Sequence, residues 1–560
     1  MRNDMIMQLN ARAERGFSMF IVIMAMFVTS MFVAAAFAAA NGDLPVSGVA
    51  VQRKSTYAAA EAGLNFYLNR LQVDPDYWTK CASGPAPNGS ELNPVNQLWD
   101  GSGADPRRWR TIPGATDQYT IELIPAPGYT SCDTTKQQSF VDLDTGTFKI
   151  KATGRTSSTA TRTRSIIATF RRDSFLNFVY FTNYENRDPA AESDKDKRED
   201  QQRDCADKYR SARAGKGCPE IQFATGDAIN GPLHTNDENL YICSTPTFGR
   251  TLNKDGTPRP TKTDTVEVSG GGTGHIATPP PPPPAQAPNP PCQDSPTINT
   301  ALPGGFKTKS QKLALPDSNA ALESIALNSS SRYAGLTRIR LRGTVMDITK
   351  ADGSTVTGAA WPTSGVVYVA NNGPCEGEIP TAADYDESPT CGNVYVSGTY
   401  SQSLTIAAAN DIIVAPTSSD KTDANLTQSG SNDAMLGLVA NNFVRVQHRS
   451  ARTGNPCTTD TTSWPAITNV TIEAAILALQ HSFIVDNYQC GKLGQLSVTG
   501  AIVQKYRGPV GTGTATSNTS GYLKNYWYDD RFRYRSPPYF LTPVDAAWDI
   551  VRVHEYVKGN

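Results

Sequence analysis

Histidine is scarce in this chain: there are five in 560 residues. None stands near another in sequence, which leaves little from which to build a metal centre. No Cys-x-x-Cys pair occurs, so a zinc ribbon or a thioredoxin-type motif is excluded. An excess of charge of one sign is also lacking. Lys+Arg number 52 against 53 Asp+Glu, a formal net charge of −1, where a dedicated nucleic-acid binder normally shows a basic surplus. Neither GxSxG, HExxH, a Walker loop nor a dinucleotide-binding glycine pattern is present. The expectation is therefore no metal, no cofactor, no nucleic-acid partner and no catalytic residue. What the chain does have is 44 Gly, 38 Pro and 39% hydrophobic residues. That composition suits two to four domains with real cores and many turns.

The ten cysteines lie at 81, 132, 205, 218, 243, 292, 375, 391, 457 and 490, all beyond residue 80. Their even number, and their position after the one long apolar segment, suit export followed by disulfide formation. The simplest connectivity joins neighbours: Cys81 to Cys132, Cys205 to Cys218, Cys243 to Cys292, Cys375 to Cys391 and Cys457 to Cys490. Other pairings, and buried free thiols, stay open on the sequence alone.

Residues 17–40 form 24 consecutive uncharged, mostly apolar positions. As a helix they would extend about 36 Å, enough for a hydrocarbon core. Arg12 and Arg15 precede them and would keep the leader cytoplasmic. Phe17, Ile21, Phe27 and Ala40 mark this expected membrane helix. Two processing readings compete. Ala38-Ala39-Ala40 offers a signal-peptidase site, although the apolar core is longer than a usual signal. Arg15-Gly16-Phe17 offers a cut after Gly16 that would retain the helix. A break is expected from Gly42 to Pro45. Residues 50–71 then carry Tyr57, Glu61, Leu64, Leu68 and Leu71 at helical spacing among four alanines.

The Arg15-Gly16-Phe17 leader, the unbroken apolar run and the following AAEAGL helix together resemble the N-terminus of PilX-like minor pilins of type IV pili. The resemblance implies processing between Gly16 and Phe17 by a prepilin peptidase. It also implies a helix that serves first as membrane anchor and then as the packing spine of a filament. Most major pilins carry Glu at the fifth mature position. Here that residue is Ile21, which argues against the repeating subunit. Residues 175–540 resemble a domain of uncharacterised function found behind such N-termini. The segments carrying that likeness include FLNFVYFTNYE (175–185), INGPLHTND (229–237), SLTIAAANDIIV (403–414), MLGLVANNFVRV (435–446), GAIVQKYRGPVGT (500–512) and SPPYF (536–540). That likeness implies no activity.

After the helix, alternating runs at 119–123, 148–152 and 164–170 read as a small antiparallel sheet. The mixed-charge run at 186–216 reads as a solvated loop. The stretch 268–292, with six prolines at 279–284, reads as an extended spacer. His234 beside Asp237 reads as part of a turn rather than a catalytic pair. Beyond residue 300, short aliphatic strands recur between Gly, Asn and Asp turns. Asn410-Asp411 and Asn441-Asn442 are like the asparagine corners of right-handed parallel β-helices. The expected fold class is thus α+β. It combines a long N-terminal helix, transmembrane in its first half, with a small antiparallel sheet and a large all-β domain, a right-handed parallel β-helix.

The expected segments are 1–16 (leader), 17–75 (spine helix), 76–174 (sheet head), 175–300 (β-rich with both loops), 301–545 (β-helix-like) and 546–560 (tail). For chemistry, Asp529-Asp530 with Arg531 and Arg533, and the lone Asp411, Asp433 and Asp486, are the nearest thing to acid catalysts. Adjacent carboxylates in extended chain face opposite ways, which leaves no hydrolytic pair. Tyr526, Trp527, Tyr528, Arg531 and Tyr534 form the candidate binding surface, with an apolar end cap as the plainer reading. The function expected is a minor pilin-like component acting in pilus assembly or as a tip-displayed adhesive module. Its expected partners are other pilins, the assembly platform, the prepilin peptidase, the membrane, and a glycan or protein ligand. The alternatives are a membrane-anchored surface protein and a secreted carbohydrate-active enzyme.

Overall fold

The computed structural model describes residues 17–74, 77–80, 109–126, 128–130, 133, 139–142, 147–157, 162–259, 262–277, 292–302, 305–382, 387–420, 422–430, 433–449, 451–453, 455–458, 466–513, 518–533, 535–544 and 548–556. Gly16, Cys81, Cys132, Tyr534 and the proline run 279–284 lie outside them. The chain divides into two compact units: Met1–Phe140, Phe148–Phe170 and Ile550–Asn560 in one, Val141–Thr147 and Arg171–Asp549 in the other. Residues 175–300 and 301–545, set apart in the sequence, thus share one unit.

In the first unit a helix runs from Phe17 to Val73. The expected interruption at Gly42 to Pro45 is absent. The backbone stays helical through Asn41, Asp43 and Pro45, although Pro45 contributes no N–H to the ladder. The C-terminal part of the helix packs on a five-stranded sheet. In that sheet Gln118–Ile124 pairs antiparallel with Thr147–Arg155, setting Ile121 opposite Ala152. Tyr67 of the helix lies edge-on against Phe148, at 6.1 Å between ring centres, and packs on Phe170 at 5.8 Å. Gly154 sets how close helix and sheet come, since a Cβ there would stand 2.2 Å from the Thr56 carbonyl oxygen.

The second unit is built on a 22-stranded sheet whose pairings are mostly parallel. One ladder stacks Arg332–Ala334, Val366–Ala370, Leu404–Ala408, Leu436–Ala440 and the end of Thr471–Ala478, each in register with the next. It continues through residues 501–504 to Tyr180–Arg187, Leu233–Thr235 and Val266–Val268. A second ladder includes residues 497–500, 525–528, Ala228–Asn230, Thr247–Gly249 and Thr297–Asn299. Within the rungs aliphatic side chains are buried almost without exception, because parallel strands covered on both faces leave no wet side.

The chain does not visit these rungs in order. It enters at the middle with Tyr180–Arg187 and builds a first arm outwards to residue 310. Residues 311–319 then cross the rungs, with the Asn319 side chain donating to the carbonyls of Ala408 and Val439. From residue 332 a returning arm descends rung by rung until residues 502–504 meet Tyr180–Thr182. Gln504 locks this seam. Its amide nitrogen donates to the Tyr180 hydroxyl (3.1 Å), and its oxygen accepts from Phe483 N–H (2.9 Å).

Two expectations are corrected. The fold is not α+β with a membrane-spanning half-helix: strands dominate, and the large sheet is parallel. Among the described residues no helix is long and apolar enough to cross a membrane. The apolar stretch belongs to one continuous helix that also carries Asn41, Asp43, Arg53 and Lys54. The charged run is not simply a loop either. Lys195–Cys205 is a helix whose N-cap Asp194 accepts from Lys197 N–H. A Cys205–Cys218 disulfide anchors its end.

Candidate binding site

Disulfides join Cys205–Cys218, Cys243–Cys292, Cys375–Cys391 and Cys457–Cys490, each pair nearest neighbours in sequence. Phe17 opens the long helix, Ile21 and Ala40 lie along it, and Phe27 is 68% exposed. Two of the C-terminal aromatic residues, Tyr526 and Tyr528, lie inside the stack rather than on a surface or an end cap. Tyr526 and Tyr528 are buried, on a strand inserted between residues 497–500 and Ala228–Asn230 in the middle of the stack. Tyr526 stacks on Tyr180 at 6.4 Å, and the Tyr528 hydroxyl donates to the Leu176 carbonyl (2.8 Å). Burial raises the pKa of both phenols, so they serve as neutral packing groups. Trp527 is half-buried, and its indole N–H donates to Asn525 Oδ1 (2.9 Å).

The acids singled out from the sequence are engaged by arginines. Asp529 accepts from Arg531, which also donates to Gln428. Asp530 pairs with Arg250 at 2.8 Å and Arg259 at 3.3 Å. Asp411 and Asp486 share the buried Arg445, at 3.1 and 2.8 Å, with Glu378 as a third partner. Burial pushes the Asp411 carboxyl above its ordinary range, while Arg445 pulls it back. Asp433 pairs with Arg535 at 2.7 Å. His234 lies in a strand, bonded to Asn236 (3.0 Å), and Asp237 accepts from the buried Arg213 (2.6 Å). Each of these acids is thus paired with at least one arginine. Among the described residues no group of three or more His, Cys, Asp or Glu could hold a metal ion.

One concavity is a cleft of about 780 Å³ that crosses the turns leading into three successive rungs. The turns are residues 361–365 before Val366–Ala370, 401–403 before Leu404–Ala408, and 433–435 before Leu436–Ala440. A C-terminal strap, residues 535–542, forms the other wall. Two glycines let the strap lie close. A Cβ on Gly365, at φ +67°, would come within 2.8 Å of Pro538, and one on Gly437 within 3.0 Å of Pro537. The Thr405 hydroxyl donates to the Pro538 carbonyl and ties the strap to a rung. Trp361 is held by its indole N–H donating to the Ser403 carbonyl at 3.0 Å. Tyr539 is 45% exposed and sits at φ +53°, a left-handed conformation that costs a tyrosine energy. Tyr539 lies in the SPPYF segment at 536–540, whereas Trp361 belongs to none of the patterns described for the sequence. An isolated tryptophan in the polar turn WPTSG was the available signal.

No protein-family model matches the chain, and no curated protein matches it. Among solved structures the chain is similar to that of the competence-associated pilin ComZ from Thermus thermophilus, at 12% identity. The alignment covers 90% of this chain and 98% of that one with a TM-score of 0.29. A likeness at that level carries no argument about fold or role.

Proposed function

We propose that this chain is a non-enzymatic, minor pilin-like component of a type IV pilus or related envelope machine, with its β unit displayed as an adhesive module. The observation that supports it best is the bare apolar surface of the Phe17–Val73 helix. Met19, Val22, Phe27 and Phe32 are 68%, 52%, 68% and 71% exposed. So much uncovered apolar surface needs a partner, and helices of other pilin subunits supply one of matching chemistry. The four disulfides favour an oxidising compartment outside the cytoplasm. The arginine-neutralised acids favour a structural over a catalytic role. In this reading the prepilin peptidase cuts after Gly16, and the assembly platform takes up the trimmed chain. Mass spectrometry of the mature N-terminus is the test. A start at Phe17 is expected, whereas a start at Met1 or at Asn41 overturns the proposal.

A further inference from the structure

We infer that the cleft between the rung turns and the C-terminal strap is a binding site for a neutral polysaccharide. The inference names the ligand class of the adhesive module and so rests on that reading. Three features of the cleft agree. Its volume of about 780 Å³ falls in the range of small-molecule sites, roughly 300–1,000 Å³, and admits sugar units rather than a folded partner. Its walls carry three aromatic residues, Trp361 from the turns and Tyr539 and the buried Phe540 from the strap. Trp361 is locked by its bond to the Ser403 carbonyl, and Tyr539 is displayed at the cost of a left-handed backbone. The flat C–H face of a pyranose stacks on such rings, and aromatic groups placed rigidly lose little entropy on binding. Strain at an exposed aromatic is what a presented ligand contact would require, because packing alone gains nothing from it.

The polar groups distinguish among ligand classes. Thr363, Ser401 and Thr542 line the cleft with hydroxyls, which both donate and accept and so match a polyol. Among the described residues that line it, the charged groups are Asp433 and Arg535, which pair with each other at 2.7 Å. A phosphate, a sulfated chain or a nucleic acid would need a basic surplus in the cleft, whereas a polyol can bond to the outer atoms of both charged groups. The cleft also follows the stacking direction of three rungs, a linear track that suits a polymer of repeated units.

The test uses the full purified chain and a panel of hexasaccharides of glucose, N-acetylglucosamine, mannose and galactose, with heparin and single-stranded DNA as anionic probes. Binding is read by calorimetry and by tryptophan fluorescence. At least one neutral hexasaccharide should bind with Kd below about 1 mM. Trp361→Ala and Tyr539→Gly should each weaken it about tenfold or more, while Tyr129→Ala in the other unit leaves it unchanged. Tyr539→Gly settles the matter if Trp361→Ala fails to fold, because glycine accepts the left-handed backbone. Absence of binding to every neutral sugar, binding indifferent to both substitutions, or preference for heparin or DNA overturns the inference. The mature N-terminus is independent of all these variants. A failed sugar screen with a Phe17 start therefore sinks only the ligand, and a start elsewhere sinks the pilin-like reading itself.

Discussion

The two arms of the coil stack solve the same packing problem with different materials. In the returning arm the rungs are aliphatic: Val366, Val367 and Val369, then Leu404 and Ile406, then Leu436, Leu438 and Val439, then Ile476 and Leu477. Successive strands meet in register, so each side chain rests on its equivalent in the next rung. The first arm has strands of mostly three or four residues. Its interior mixes phenylalanines, Phe181, Phe223 and Phe248, with aliphatic residues such as Ile229, Leu233, Ile242 and Val266. Buried arginines tie its irregular turns, Arg213 to Asp237 and Arg250 to Asp264, and Arg507 reaches Glu185 across the seam; the returning arm has one such centre, Arg445. Disulfides do not distinguish the arms: Cys205–Cys218 and Cys243–Cys292 lie in the first, Cys375–Cys391 and Cys457–Cys490 in the second. Regular repetition lets apolar contacts accumulate from rung to rung, as expected of a quasi-one-dimensional stack. Where the repeat fails, backbone carbonyls are left inside without rung partners, and fixed cations bond to them. Arg507 illustrates this, donating to the Ile221 carbonyl at 2.6 Å as well as to Glu185 at 3.1 Å.

That contrast can be broken at the seam. Arg507→Ala would strand the Glu185 carboxylate, which burial already pushes towards protonation, and would cost about 3–5 kcal/mol. Denaturant midpoints measure it. The paired change Arg507→Met with Glu185→Leu should recover most of the loss, because apolar groups of similar volume replace buried ion pairs well. If the pair fares no better than the single variant, the carbonyl contacts rather than the charge pair hold the first arm. On the other side, Leu438→Ala in the returning arm should cost about 2–5 kcal/mol. It has no polar compensation, so no second-site charge should rescue it. A loss under about 1 kcal/mol would mean that the rungs relax around the gap and that regular stacking matters less than argued.

The returning arm was also the legible one. Its aliphatic runs stood between Gly, Asn and Asp turns, and the observed strands at Val366–Ala370, Leu404–Ala408 and Leu436–Ala440 fall on them. The corner asparagines were visible for the same reason. Asn410 donates to Asn393 Oδ1 (2.6 Å) and accepts from Asn442, a side-chain ladder from one rung to the next. What could not be read was order in space. Nothing local in Tyr180–Arg187 says that it pairs with residues more than 300 positions later. For the same reason Tyr526 and Tyr528 looked like a surface or a cap, although they fill a rung at the middle of the stack. Periodicity reports which face of a strand is apolar, not which distant strand covers it. The cleft was hidden likewise, because Trp361 and Tyr539 come to line one cleft only when the strap is laid across three turns.

The smallest expected effect lies beside the seam and concerns a histidine. His481 Nδ1 lies 3.2 Å from Asp188 Oδ2, and its ring stacks on Phe443 at 4.4 Å between ring centres. Burial works to lower its pKa, but the Asp188 carboxylate, with Asp411 further off, outweighs both burial and the repulsion of Lys505, so the net direction is upward. A folded-state value above the unfolded one favours the protonated folded form. The resulting stability is fully present below the unfolded value near 6.5 and is lost as pH rises through the folded one. His448 has the opposite sign. Burial lowers its pKa despite its backbone carbonyl partners, so its share of stability is lost as pH falls. Urea midpoints of the parent chain, His481→Gln and His448→Gln from about pH 5 to about pH 9 separate the two. The parent's advantage over His481→Gln should shrink towards alkaline pH, and its advantage over His448→Gln should shrink towards acid. Parallel curves for the parent chain and His481→Gln would mean that Asp188 holds the imidazole in place by geometry alone, with no charge pair at the junction of the arms.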